Sequence, residues 1–375
     1  MTYVAVPFQV YSQTHSSLWV GLASAIQLPF LITGALWGGA LGDRVDKRVL
    51  MIVSTSVLAL TSIGLALNAG VHDHHLVYLL LLAAVSAGFA GFVGPLRNAA
   101  TPKLVEPDEL VQAYSLNQVA GTSASVIGPA LAGVLIAGIG LFSCYAIDAV
   151  TFAFLTLQIS FMSPMPATGE HSGTKILRSI GDGFGYVRKH PVVQAVYLVD
   201  LNAMVFALPR ALFPAVALTI YHGGPRMLGL LYAAPGAGAV LMALVTGWIA
   251  HVRRQGRLVA FAVITWGAVI TVFGLVHVVW IGFLCLGTAG AMDVISPVLR
   301  NTILQTAITD DFRSRISSIQ TAVVTGGPRL GDVESGVVAN FTSTEFSIVS
   351  GGIACIVGVI ALMKWRPTFW HREKL

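Results

Sequence analysis

Charge is what this sequence has least of. Of its 375 residues only 10% are Asp, Glu, Lys or Arg, while 55% are hydrophobic. A water-soluble chain carries roughly 25% charged residues because its surface must be solvated, so a soluble globular protein is excluded. Cysteine is scarce too. Cys144, Cys285 and Cys355 each sit inside an apolar run, with neither a disulfide framework nor zinc spacing, and they read as small packing residues. No Gly-x-x-x-x-Gly-Lys-[Ser/Thr] occurs, which removes a fused nucleotide-driven motor. No nucleophile, metal or cofactor constellation typical of a membrane enzyme is present, so the reading is of a non-enzyme that needs no cofactor. Strand-period alternation is absent, which excludes a β-barrel.

What the sequence has is apolar runs of about 20 residues, the length that crosses about 30 Å of hydrocarbon as helix. The runs predict eleven full spans at 17–41, 49–70, 76–96, 113–138, 141–161, 192–220, 227–250, 258–276, 279–298, 316–339 and 346–364. The net charge of +5 would point to nucleic acid only if the basic residues were clustered for it. Instead 19 of the 22 Lys and Arg fall in alternate loops or the C-terminal tail, at 44–48, 97–103, 175–189, 253–257, 300–315 and 364–374. Positive loops stay on the cytoplasmic side, which puts the C-terminus inside and leaves no role for nucleic acid.

The longest polar stretch, 162–190, separates a bundle at 1–161 from a bundle at 191–375. Within it Ile176, Leu177, Ile180, Phe184 and Val187 recur at helical spacing, with Lys175, Arg178, Arg188 and Lys189 off that stripe. This predicts an amphipathic helix on the inner membrane surface, against lipid. The two bundles repeat one another. Pro95-Leu96-Arg97-Asn98 answers to Pro297-Val298-Leu299-Arg300-Asn301, with Arg97 and Arg300 203 positions apart. The same offset carries Gly128 to Gly331 and Gly133 to Gly336, and an offset of 208 carries Gly39 to Gly247. Two parallel halves of six helices joined by a cytoplasmic linker describe an all-α membrane protein of the major facilitator fold. The repeat also calls for a span ahead of Ser17, of which only Val4 to Val10 and its neighbours are present. The first helix is therefore expected to be incomplete, and the native chain to begin earlier.

One loop carries a recognisable pattern. Gly39-Ala40-Leu41-Gly42-Asp43-Arg44-Val45-Asp46-Lys47-Arg48 resembles the loop motif of major facilitator transporters, G-x-x-x-D-[RK]-x-G-[RK]-[RK]. The resemblance implies an inner-gate latch, with Gly39 allowing close helix approach and Asp43 facing the dipole end of the helix near 316. Arg44, Lys47 and Arg48 would hold the loop at the anionic inner leaflet. Asp46 stands where the pattern has its second glycine. The stretches Pro7-Phe8-Gln9-Val10, Thr14-His15-Ser16-Ser17, Val20-Gly21-Leu22, Leu231-Tyr232-Ala233-Ala234 and Leu304-Gln305-Thr306 resemble the enterobactin exporter branch, whose relatives include drug effluxers. That resemblance implies export of a small amphipathic molecule, a siderophore or a drug, by alternating access. The coupling expected with it is proton antiport, and the expected unit is a monomer. Gly128-Pro129-Ala130-Leu131-Ala132-Gly133 resembles the glycine–proline motif of antiporters; generic close packing of membrane helices explains the same residues.

Ionisable residues inside apolar runs are expensive and therefore functional candidates. Asp148, Asp200, Arg210, Asp293, Arg329, Asp332 and Glu334 are these, as coupling sites, substrate contacts or interhelical pairs. Arg210 and Glu334 each lie about 18 residues into their spans from the same side, which predicts a pair between Arg210 and Glu334 or Asp332. His72-Asp73-His74-His75 has no fourth ligand nearby and reads as a solvated outer turn rather than a metal site.

Overall fold

The structure is a computed structural model that describes residues 1–42, 44–71, 75–166, 185–188, 190–245, 252, 254–307, 313–366 and 370. Every regular element among these residues is helical. The helices are α1 (Thr2–Thr14), α2 (Ser17–Gly42), α3 (Lys47–Gly70), α4 (Leu76–Ala100), α5 (Leu110–Ser160), α6 (Pro191–Phe206), α7 (Gly224–Val245), α8 (Gln255–Leu275), α9 (Val279–Ala307), α10 (Arg313–Phe341) and α11 (Thr344–Trp365). Among the described residues nine helical stretches are long and apolar enough to cross a membrane. A helix that buries every backbone polar group in its own hydrogen bonds is what hydrocarbon permits. The outward faces fit this solvent: Leu116, Leu241, Leu244, Trp280 and Phe341 are each at least 67% exposed, a display that water would penalise.

Two of these stretches are interrupted. α5 is 51 residues long, about 77 Å at 1.5 Å per residue, more than twice the hydrocarbon thickness. Gly140 breaks it with φ 84° and ψ 173°, a backbone geometry that only glycine adopts cheaply. The second, Pro191–Ile220, runs as α6 to Phe206, loses helical form at Ala207–Pro209, and resumes as a 3₁₀ turn (Arg210–Leu212), one α turn (Phe213–Ala215) and a π turn (Val216–Ile220). α10 is not among the nine apolar stretches, because Arg329, Asp332 and Glu334 fall in its middle. The amphipathic helix expected within 162–190 falls almost wholly outside the described residues, as do His72, Asp73 and His74.

The chain forms two compact units. The first holds Met1–His15, Leu22–Gly173 and Gly223–Leu230; the second holds Ser16–Gly21, Thr174–His222 and Leu231–Leu375. In the first, α3 packs along α4 and α5, with Thr156 donating to Thr55 Oγ1 at 2.8 Å. Met51, Leu96, Ala100, Ile159 and Met165 form one buried apolar cluster within it. A methyl on Gly133 of α5 would lie 2.7 Å from the Cα of Gly229 in α7, and one on Gly229 would lie 2.7 Å from the Pro129 carbonyl. In the second unit α8 packs on α9 and α11, and α6 on α10 and α11. There a methyl on Gly336 would lie 2.7 Å from the Ser17 carbonyl, and one on Gly21 would lie 2.5 Å from the Asp332 carbonyl. Gly133 and Gly336 are the pair related by 203 positions, and Gly21 and Gly229 are 208 apart. Each unit therefore contains the same glycine-lined crossing, built from repeat-related positions.

Candidate functional site

In the first unit, the resembled loop motif meets the residues that end and follow α5. Gly39 lies in α2, Asp43 lies outside the described residues, and so does the side-chain detail of 313–318, so the expected latch contact falls outside what the structure describes. Arg44 is exposed. Lys47 is the first residue of α3 and only 3% exposed, packed into the unit rather than laid on the lipid surface as the loop reading expected. Asp46 caps α3 by accepting from the Arg48 N–H at 2.8 Å. Its carboxylate also accepts from the Met165 N–H at 3.2 and 3.1 Å. Arg48 donates to the Ser160 carbonyl, and Lys103 to the Pro166 carbonyl at 3.0 Å. The aspartate that replaces the motif's glycine thus ties helix start and linker start together, a role glycine could not fill.

Of the antiporter-like residues, Gly133 and Pro129 form the crossing with α7, while nothing lies within 4 Å of a methyl built on Gly128. The motif's spacing is used for close packing at one glycine and not at the other.

The buried ionisable residues separate into three groups. Asp148 on α5 is 5% exposed and accepts from Thr2 Oγ1 at 2.5 Å and from Ser62 Oγ at 3.2 Å. One helical turn away Tyr145 donates to Gln9 Oε1 at 2.9 Å. In the second unit Asp200 on α6 pairs with Arg300 on α9 at 2.5 Å, with side-chain exposures of 1% and 4%. Arg210 lies at the break in its span, and Asp293 lies on α9, seven residues before Arg300. The third group is on α10. Arg329 and Asp332 each hold polar partners, and Glu334 is half-buried with no ion-pair partner among the described residues. Of the two pairs expected for Arg210, the one with Glu334 is not seen among the described residues, while Arg210 and Asp332 each hold a partner.

Arg300 requires a correction. Hydropathy ends its span at Val298 and puts Arg300 in a loop, but α9 continues to Ala307 and buries the guanidinium against Asp200. A span can run past a charge when a partner 100 residues away neutralises it. Sequence reading also missed the residues that finish the broken span. Trp266 of α8 donates its indole N–H to the Ala207 carbonyl at 2.9 Å, and Tyr232 of α7 donates to the Arg210 carbonyl at 3.1 Å. Asn202 donates to the Cys355 carbonyl at 2.9 Å. Tyr232 lies in one of the stretches that carried the resemblance; Trp266 gave no signal at all.

Paired halves, interrupted spans and ionisable side chains held inside apolar helices define a multi-pass membrane transporter. The chain belongs to the major facilitator superfamily, and within it to the family described as transmembrane secretion effector, whose profile matches residues 1–374. It is 32% identical over 364 residues to the enterobactin exporter EntS of Citrobacter koseri, covering 96% of this chain and 86% of that one. It is 30% identical over 375 residues to the enterobactin exporter EntS of Escherichia coli O1:K1, covering 97% and 89%. The fold is shared with the nucleoside transporter NupG, with a TM-score of 0.76, 11% identity and coverage of 97% and 96%. It is also shared with a bacterial homolog of the human lysosomal transporter Spinster, with a TM-score of 0.68, 14% identity and coverage of 100% and 96%.

Proposed function

We propose that this transporter exports a small amphipathic molecule, a siderophore or a drug, out of the cell by alternating access of its two halves, driven by proton antiport. The observation that carries the reading is the match to enterobactin exporters across nearly the whole chain, joined to carboxylates held inside the membrane spans. Exporting against a gradient needs a second, downhill flux, and a buried carboxylate is the side chain that can take and release a proton within hydrocarbon. Asp148, Asp293 and Glu334 are the candidates for that task. The loop at Gly39–Arg48 acts as the inner gate, with Asp43 at its centre. The protein works as a monomer in the cell's inner membrane, with its C-terminus in the cytoplasm, in contact with lipid and with its substrate.

Purified protein in liposomes with an imposed pH gradient tests this. Enterobactin should move from the face bearing the C-terminus to the opposite face, and dissipating the proton gradient should stop it. Movement only in the reverse direction would make the chain an uptake transporter. No movement of enterobactin or of cationic and neutral drugs under any gradient would sink the transport reading. Asp43→Asn should keep the fold and slow the flux; a normal rate would remove Asp43 from the gate.

A further inference from the structure

Two glutamines in the first unit are left over by its packing. Gln9 and Gln13 stand four residues apart on α1, so they share one face of that helix. Gln9 is 1% exposed. Its Oε1 accepts from the Tyr145 hydroxyl at 2.9 Å, while its Nε2 is buried with no hydrogen-bond partner among the described residues. Both amide atoms of Gln13 are in the same condition. Orphaned amide atoms are expensive inside a hydrocarbon span, and a methionine would fill either position without that cost. Where proteins keep buried groups of this kind, water satisfies them.

The seam continues to a carboxylate. Tyr145 stands three residues before Asp148 on α5, on the same side of the helix. The Asp148 carboxylate, 5% exposed, accepts at Oδ2 from Thr2 of α1 at 2.5 Å and from Ser62 of α3 at 3.2 Å. Thr2 lies seven residues before Gln9, two turns back along the same face. α1 therefore presents Thr2, Gln9 and Gln13 in one line, with Asp148 at the Thr2 end. The other end opens outward: Gln13 is part-exposed, and Ser12 and His15 beside it are exposed. In the orientation proposed above, this end of α1 lies on the outer face of the membrane. Few ionisable groups face the carboxylate. The Met1 ammonium lies 3.4 Å from Oδ1, and Cys144 and Tyr145 belong to its own helix. Tyr3 and Tyr11 of α1 stand on other faces of that helix. Lys47 and Arg48 of α3 are about 20 Å from Ser62 along its axis, and Tyr78 and Arg97 of α4 are exposed.

We propose that Gln13, Gln9 and Tyr145 hold a file of water molecules that carries protons to Asp148. Each water accepts one proton and hands on another, so the glutamines are unchanged and the proton ends on the carboxylate that Thr2 and Ser62 hold in place. The inference rests on the proton-antiport reading for its purpose, and it selects one carboxylate from the three named there. Deuterium exchange of the Asp148 carboxylic acid tests it without transport. Infrared difference spectra of the full chain in nanodiscs, taken across a pH titration, should contain a carboxylic acid C=O band that Asp148→Asn removes. On a change to D2O at a pH where the acid form is filled, that band should shift as fast as the buffer exchanges, although the residue is buried. Gln9→Met, close in volume but unable to bond water, should slow the shift about tenfold, equivalent to about 1.4 kcal/mol at the barrier. Tyr145→Phe should slow it by less. An unchanged melting temperature reports that each variant is folded, and Gln13→Met gives the same test if Gln9→Met does not fold. No titrating band lost in Asp148→Asn, or exchange as fast in the folded glutamine variants as in the wild type, would overturn the proposal. Fast, glutamine-dependent exchange in a protein that moves enterobactin without a counterflow of protons would count against the antiport reading and not against the water file.

Discussion

Arg97 and Arg300 occupy the same place in two copies of one sequence pattern, and the molecule uses them differently. Both follow a proline and a leucine and precede an asparagine, 203 positions apart. Both lie in helix, near the ends of α4 and α9. Arg97 is exposed, a positive charge in the last turn of α4 in the first unit. Arg300 is 3% exposed and locked to Asp200. A duplicated motif therefore preserves a position in the fold without preserving a role; the neighbours decide the role. The glycine crossings teach the opposite lesson. Gly133 and Gly336 are also 203 apart, and both press against backbone with no room for a methyl. Packing at contact distance tolerates no divergence, whereas a charge can acquire or lose a partner.

That contrast can be broken at four points. The largest effect is expected at the buried rung. Arg300→Ala leaves Asp200 unpaired and should lower stability by about 3–5 kcal/mol, seen as an early thermal unfolding in detergent. Replacing both, as Asp200→Leu with Arg300→Met, should recover most of the loss; a double variant as unstable as the single would show that the pair is not the source. Next come the crossings. Gly133→Leu and Gly336→Leu should each cost about 1–3 kcal/mol or more through overpacking, and by similar amounts if the two units are built alike. Gly128→Ala, with nothing in reach, should be neutral in the same melts. A third, smaller effect concerns Asp46. Its removal to Ala takes away the α3 cap and the Met165 tie, worth about 1–2 kcal/mol together, and should raise amide exchange at Met165 and Arg48. Unchanged exchange at Met165 would refute the tie. Arg97→Ala should shift stability by less than about 0.5 kcal/mol, and a loss as large as that of Arg300→Ala would erase the comparison.

Much of this was legible in order along the chain. The end of one apolar run at 138 and the start of the next at 141 bracket the break at Gly140. The intramembrane charges were found from their cost alone. Their partners were not, because Asp200 and Arg300 are 100 residues apart and depth along a span says nothing about the face a side chain presents. Arg210 and Glu334 were placed at one depth, yet Glu334 has no ion-pair partner among the described residues. Asp46 looked like a lapse in a motif, since its second partner is a backbone N–H 119 residues away.

By itself, the sequence determined the solvent this protein folds in, its helical class and its repeated halves. Those follow from how many apolar residues stand in a row and how far apart like patterns recur, which are one-dimensional quantities. Only the tertiary structure decided which charges are neutralised, which glycines must stay glycine, and that the broken span near Arg210 has its carbonyls capped by Trp266 and Tyr232. Each of these depends on atoms from helices far apart in sequence meeting within a few ångströms, and no count along the chain contains that distance.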